Sequence, residues 1–190
     1  MSENTDDRIM LDIPTLNERG IVPTRKELFI FMAKGWKNKV NEIQRDLWDC
    51  YHDLQANEFI GITTNNFVKK DGKAVMGRGC ALEATKKFPH IASDLGALIH
   101  ANGKQAYVFP AYRVVTFPVK HVWNEQADLG LIEQSCTELK DIMHVYGIKK
   151  IFLPRPGCGN GGLKWDLVKP IIEKHFGNDD RLVIVSKVGE

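Results

Sequence analysis

Apolar residues recur along this chain in two alternating rhythms. Short dense runs at 28–32, 59–63, 105–109, 114–117, 149–153 and 181–186 have the length and the β-branched or aromatic content of buried strands. Between them the apolar positions spread to a spacing of three and four, the mark of a helix with one inner face. That spacing predicts a helix over 37–56, with Val40, Ile43, Leu47, Tyr51 and Leu54 on one stripe. It predicts another over 127–146, with Leu129, Ile132, Cys136, Leu139 and Met143 inward and Gly147 just past its end. A helix following 75–81 should stop near Pro89, and 91–99 should make the next. Asp166 is placed to cap a last helix running to Phe176, in which Pro170 is tolerated in the early turns. Strands that alternate with helices imply a sheet sandwiched between helical layers, an α/β fold.

Glycine interrupts this alternation at two informative places. Residues 157–162 read Gly-Cys-Gly-Asn-Gly-Gly, between an expected strand and an expected helix. Val75-Met-Gly-Arg-Gly-Cys-Ala81 stands in the same kind of position, after a strand and at a helix start. Backbone N–H groups bare of side chains, gathered beside a helix N-terminus, suit a phosphate. Two such cradles in one small domain suit a nucleotide with a bridging diphosphate. In open α/β sheets ligands sit where strands end and helices begin, so the loops at 63–80, 117–125 and 154–163 are the candidate site. Thr64, Asn65 and Asn66 come from the first. Lys120 falls at the sheet rim in Phe117-Pro-Val-Lys-His-Val-Trp123.

Length and composition narrow the class. The chain has 190 residues, enough for one domain, and is 43% hydrophobic and 26% charged. No apolar run approaches the ~18–20 residues of a membrane span, and the polar, acidic Met1–Asp7 is unlike a secretory leader. Four cysteines without a C-x-x-C pair fit reduced thiols in a cytoplasm. A net charge of +2 argues against strong nonspecific duplex binding. The lysines at 69, 70 and 73 adjoin the first glycine cluster and are placed to guide a single nucleic-acid strand. Residues 1–26 mix charge, proline and glycine and read as a loosely ordered arm, leaving 27–190 as the domain.

Several chemistries lack their signatures. There is no G-x-x-x-x-G-K-[ST], no G-x-G-x-x-G, no H-E-x-x-H and no G-x-S-x-G. The six histidines do not cluster at metal-ligand spacing, and no metal or cofactor is expected. Cys158 has no histidine placed to activate it and reads as packing, and Cys80 as a small residue at a helix start. Trp123 and Trp165 read as core or rim packing.

Four motifs in this order resemble the macro domains that bind ADP-ribose: Gly61-Ile-Thr-Thr-Asn-Asn66, Val75-Met-Gly-Arg-Gly-Cys-Ala-Leu82, Phe117-Pro-Val-Lys-His-Val-Trp123 and Pro154-Arg-Pro-Gly-Cys-Gly-Asn-Gly-Gly-Leu-Lys-Trp165. The resemblance runs from about Glu58 to Val185. Within the family it looks closest to the DNA ADP-ribosyl glycohydrolase (DarG-type) branch and to short ADP-ribose-binding proteins of bacteria and phages. It implies a three-layer α/β/α fold on a mixed six-stranded sheet, with a helical insertion at about 37–56. It also implies that Asn65 or Asn66 holds the distal ribose, with Thr64 beside them. Gly77, Arg78, Gly79 and Cys80 would wrap that ribose and one phosphate. Gly157, Cys158, Gly159, Asn160, Gly161 and Gly162 would cradle the diphosphate.

Lys120 falls on the branch's catalytic lysine. The implied role is attack on the anomeric carbon of the distal ribose, or on its ring-opened aldehyde. An amine attacks only unprotonated, which calls for burial or a neighbouring cation such as Arg78. Two departures stand out. Many macro domains have a Gly-Asp pair after the first strand, whose aspartate reads the adenine amino group, and the matching place here reads Gly35-Trp36. Another branch of hydrolases has an aspartate where this chain has Gly161, which leaves Lys120 to act largely alone. The first activity the resemblance implies is a mono-ADP-ribosyl glycohydrolase acting on a macromolecule such as DNA; the alternatives are a noncatalytic ADP-ribose reader and a phosphatase of ADP-ribose 1″-phosphate. A monomer is expected in each case.

Overall fold

The computed structural model of the chain describes residues 39–187. The expected arm at 1–26, the strand at 28–32 and Gly35-Trp36 lie outside the described residues. Within them, strands and helices follow in the order β1 (Asn41–Gln44), α1 (Leu47–His52), β2 (Glu58–Asn65), α2 (Gly79–Lys87), α3 (Ile91–Asn102), β3 (Val108–Phe109), β4 (Val114–Lys120), α4 (Leu129–Val145), β5 (Lys150–Pro154), α5 (Trp165–Phe176) and β6 (Leu182–Ser186). A short 3-10 turn, Pro110–Tyr112, joins β3 to β4.

The strands form one mixed six-stranded sheet in the order β1-β6-β5-β2-β4-β3. Every pairing is parallel except β3 with β4. Side chains alternate across a strand, and the central strands feed both faces. On β4, Val115, Phe117 and Val119 meet the inner faces of α4 and α5, among them Ile132, Cys136, Leu139, Val168, Ile172 and Phe176. Val114 on the same strand, with Ile60 and Ile62 of β2, meets α1, α2 and α3 through Leu47, Ala84, Ile91 and Leu95. A fully buried Ile or Leu of this kind contributes about 1.5–3 kcal/mol. Helices therefore cover both faces of the sheet, as the alternating pattern implied.

Three local expectations are corrected. The helix expected over 37–56 is an edge strand followed by a six-residue helix. Residues 41–44 bury no side chain, and what fixes them is the free edge of β6, against which Asn41 pairs with Val183 and Gln44 with Ser186. Val40, Leu47 and Leu54 of the expected stripe are buried, but Ile43 is exposed. Asp46 begins α1, its side chain accepting a hydrogen bond from the Trp48 N–H at 2.8 Å. In α4 the inner face starts at Leu131 and Ile132, with Leu129 exposed. At the start of α5 the cap position belongs to Lys164, with no side-chain cap, and Asp166 sits in the first turn. There its charge still faces the positive helix end.

The segment between β2 and α2 is a small hairpin. Val68 bridges Ala74, the Lys69 N–H donates to the Lys73 carbonyl at 2.8 Å, and the Ala74 N–H docks it on α3 through the Ala92 carbonyl. The three lysines of this loop are thus carried on a fixed turn whose two ends, Asn65 and Val75, open onto the site.

Candidate functional site

The five parallel strands all point their C-terminal ends to one edge of the sheet. A cleft of about 710 Å³ lies beyond that edge, within the range of small-ligand pockets. Each strand end delivers residues to it: Arg45, Asp46 and Leu47 after β1, Thr64 and Asn65 on β2, Lys120 at the end of β4 and Trp123 beyond it, Arg155 after β5 and Lys187 after β6. Asn65 pairs in register with Lys120 across a bulge at Thr64/Asn65, so the two strands part at the cleft floor.

Both glycine segments line this cleft, from opposite sides. Gly77, Arg78, Gly79 and Cys80 contribute on one side, and Gly157, Cys158, Gly159, Asn160 and Gly161 on the other. They approach closely, since a Cβ on Gly79 would stand 3.1 Å from Nδ2 of Asn160. Helix α2 starts at Gly79 with no acidic residue in its first turn and no side-chain cap. Its first N–H groups have no partner within the helix, and its positive end faces the cleft.

The second segment is a pair of interlocked turns. The Gly162 N–H donates to the Gly159 carbonyl and the Leu163 N–H to the Gly157 carbonyl, each at 3.0 Å. These bonds leave the N–H groups of Gly159, Asn160 and Gly161 without a partner among the described residues. A Cβ on Gly161 would fall 2.2 Å from the Gly157 carbonyl oxygen, so main chain packs directly on main chain.

Lys120 reaches across the cleft. Its Nζ donates to the Asn160 carbonyl at 2.6 Å, tying the rim of β4 to the second glycine turn. Asn65 lines the cleft, with Nδ2 bonded to the Val75 carbonyl at 2.8 Å and Oδ1 accepting from the Phe67 N–H at 3.0 Å. Each group keeps one further site, a second hydrogen and a second lone pair, for a ligand hydroxyl. Thr64 lies in the lining and is almost fully buried.

Two expected site residues stand elsewhere. Asn66 is buried beneath the loop, its N–H bonded to the Lys120 carbonyl and its Oδ1 without a partner. Gly162 is outside the lining, its carbonyl held by Gln126.

The four thiols are held protonated by burial. Burial pushes Cys158 up to about 11 and Cys136 up to about 12, and raises Cys50 and Cys80 as well. Neither Cys80 nor Cys158 is therefore poised as a thiolate nucleophile. Among the described residues no group of three or more His, Cys, Asp or Glu is placed to hold a metal ion. None of their helices is long and apolar enough to cross a membrane.

The β1 end of the cleft was missed by sequence reasoning. Among the described residues the first strand is Asn41–Gln44, and the pair that follows it is Arg45-Asp46. Asp46 lines the cleft, its Oδ2 3.5 Å from Nζ of Lys187. Arg45 forms an ion pair with Asp53. The available signal was an N-cap residue, Asp46, just ahead of the apolar Leu47-Trp48.

Beside it Glu42 is a hub. It accepts from Nζ of Lys169 at 2.6 Å, from Nε1 of Trp165 at 3.1 Å and from Nη2 of Arg155 at 3.3 Å. Burial pushes the Glu42 carboxyl up, but Lys169 and then Arg155 outweigh it and hold the group below its ordinary value. A carboxyl so depressed adds stability in full above the ordinary glutamate range and loses it as pH falls through the lowered value. Urea midpoints of the wild type and Glu42→Gln should therefore differ most near neutrality and converge as pH falls below the ordinary glutamate range.

Comparison with known proteins now adds to this geometry. No family model matches the chain. It is 29% identical over 110 residues to a DNA ADP-ribosyl glycohydrolase of Thermus aquaticus, which covers 53% of this chain and 30% of the relative. The chain spans about a third of the length of the curated relatives it matches. The macrodomain of Mycobacterium tuberculosis DarG superposes with a TM-score of 0.63 at 23% identity, covering 77% of this chain and 96% of the other. Thermosipho africanus DarTG in complex with ADP-ribose gives 0.64 at 19%, covering 82% of this chain and 43% of the other. In fold, the chain is a macrodomain.

Proposed function

We propose that this chain binds ADP-ribose in the cleft and releases it from a modified macromolecule, DNA in the first instance, through Lys120. The observation that carries the reading is that Lys120 shares one cleft with both glycine turns and is bonded to the second of them. The diphosphate lies against the N–H groups of residues 159–161 and the start of α2. Asp46, at the turn after β1, accepts from the adenine amino group. Asn65 meets the distal ribose, whose anomeric carbon is thereby turned toward Lys120.

In the reaction the Nζ lone pair bonds to that carbon as the glycosidic bond breaks. The leaving base departs with the bonding pair and takes up a proton. Water then displaces the amine and regenerates Lys120. The names of the relatives favour DNA over protein as the modified substrate.

Calorimetry with ADP-ribose tests the binding half directly, and no measurable heat from the wild type would remove its basis. Asp46→Asn keeps an N-cap residue while removing the charge. It should weaken ADP-ribose about 10- to 100-fold, the worth of a hydrogen bond to a charged group. It should barely change inosine diphosphate ribose, which lacks the amino group. Equal weakening of both nucleotides would rule out adenine reading by Asp46.

A further inference from the structure

Three tryptophans lie among the described residues, and two are satisfied internally. Trp48 donates Nε1 to Glu83 at 2.6 Å and has Nζ of Lys87 4.9 Å above its ring. Trp165 donates Nε1 to Glu42 and has the Arg155 guanidinium 5.4 Å from its ring centre. Trp123 has neither a hydrogen-bond partner for its indole nor a ring or cation partner among the described residues. It is 49% exposed and lines the cleft three residues beyond Lys120. A large aromatic ring left open at the mouth of a polar cleft, with an unused N–H, is an expensive surface to leave in water.

Its surroundings say what would cover it. Phe67, 40% exposed, stands two residues beyond Asn65, the register partner of Lys120. The two open rings thus follow adjacent strands, β2 and β4, at the edge of the sheet that bears the cleft. Between Phe67 and the first glycine segment runs the docked hairpin with Lys69, Lys70 and Lys73 exposed, against one acid, Asp71. The Trp123 loop itself carries His121 and Glu125, both exposed. Two unpaired rings beside a lysine-bearing turn match the two terms of single-strand recognition, base stacking and backbone charge.

We propose that Trp123 is the platform on which the nucleobase bearing ADP-ribose stacks, with Phe67 taking a neighbouring base and the lysine hairpin the strand's phosphates. This rests on the reading that ADP-ribose occupies the cleft, and it specifies the macromolecule as single-stranded nucleic acid. Stacking here holds the strand on the leaving side of the bond that breaks. Trp123 is a positioning residue, and the reacting atoms belong to Lys120.

The test uses the full chain with three probes: free ADP-ribose, a thymidine-rich oligonucleotide carrying one ADP-ribose, and a mono-ADP-ribosylated peptide. Trp123→Ala should bind free ADP-ribose as the wild type does and raise KM for the oligonucleotide about 5- to 100-fold. The peptide should show no such change, and Trp123→Phe should recover most of the loss. Exchanging Lys69, Lys70 and Lys73 for alanine should flatten the log–log salt dependence of oligonucleotide binding, by about 0.7 for each phosphate no longer neutralised.

Wild-type binding of free ADP-ribose with no gain for the oligonucleotide would overturn this proposal and leave the cleft assignment standing. Failure to bind free ADP-ribose at all would overturn both. Equal loss of free ADP-ribose and oligonucleotide in Trp123→Ala would place the ring in the nucleotide pocket. Equal loss on the peptide would make the partner a protein. Either result overturns the single-strand assignment.

Discussion

Lys120→Ala is expected to bind ADP-ribose and yet release it from a modified strand about 10²–10⁴-fold more slowly, the span that one positioned proton-transfer or nucleophilic side chain commands. Binding should survive because the second glycine turn is not held by Lys120 alone. Its Gly157 and Gly161 carbonyls accept from Leu163 and Ala127 at 3.0 and 2.9 Å, and Gln126 holds Gly162. Deleting the lysine side chain leaves these bonds in place. Losing an interaction made only in the transition state lowers kcat and kcat/KM together, while losing one made equally in the ground and transition states raises KM alone.

Lys120→Arg sharpens the test. It keeps a cation and a donor for the Asn160 carbonyl, but a guanidinium does not give up its proton and cannot attack. It should bind at least as well as Lys120→Ala and be equally inert. Calorimetry and chromatographic assay of released ADP-ribose give the two readouts. Turnover by Lys120→Arg at the wild-type rate would exclude attack by the amine. Binding by the wild type with no release from DNA or protein would identify a reader. Free phosphate from ADP-ribose 1″-phosphate would identify a phosphatase.

The second large effect comes from a methyl group. Gly161→Ala places a Cβ 2.2 Å from the Gly157 oxygen and 2.6 Å from its carbon, both main-chain atoms. No rotamer relieves that collision. Either the turn closed by Leu163 and Gly157 opens, or the Ala127 bond to Gly161 stretches. Overpacking of this sort costs about 1–3 kcal/mol of stability, and a displaced cradle should weaken ADP-ribose by about 100-fold or more, equivalent to roughly two hydrogen bonds.

Gly159→Ala is the matched control, because its Cβ would meet no atom within 4 Å and its φ is not positive. That variant should fold with the wild-type urea midpoint. If Gly161→Ala kept both the midpoint and the affinity, main-chain packing in this turn would not be what shapes the site.

The parts of this molecule that could be read from the sequence are those whose physics is local. The dense runs became β2, β4, β5 and β6 because each has neighbours on both edges and buries side chains on its faces, which concentrates apolar residues in them. The glycine segments were legible for a related reason: positive φ at Gly79 and Gly157, and the close approach of Gly157 and Gly161, leave no choice of residue.

Strand β1 was not legible. Asn-Glu-Ile-Gln buries nothing, and its conformation is imposed by β6, far away in sequence. Reading 37–56 as one helix also hid Asp46, since an aspartate in the middle of a helix has no reason to reach a cleft. Asn65 and Asn66 could not be separated either, because the bulge at Thr64/Asn65 decides which of the two faces the cleft. Trp48, Trp123 and Trp165 look alike in sequence, and what distinguishes Trp123 is the absence, among the described residues, of the carboxylate and cation that only folding brings to the other two.

Cys80 and Cys158 give the cleft two sulfur atoms in its walls, both kept as thiols by their surroundings. Peroxide and alkylating electrophiles react with the thiolate, whose population at neutral pH is here very small. With an amine and main-chain amides in the proposed roles and its sulfurs quiet, the pocket would keep its occupant and its rate under oxidative stress that silences thiolate-dependent enzymes.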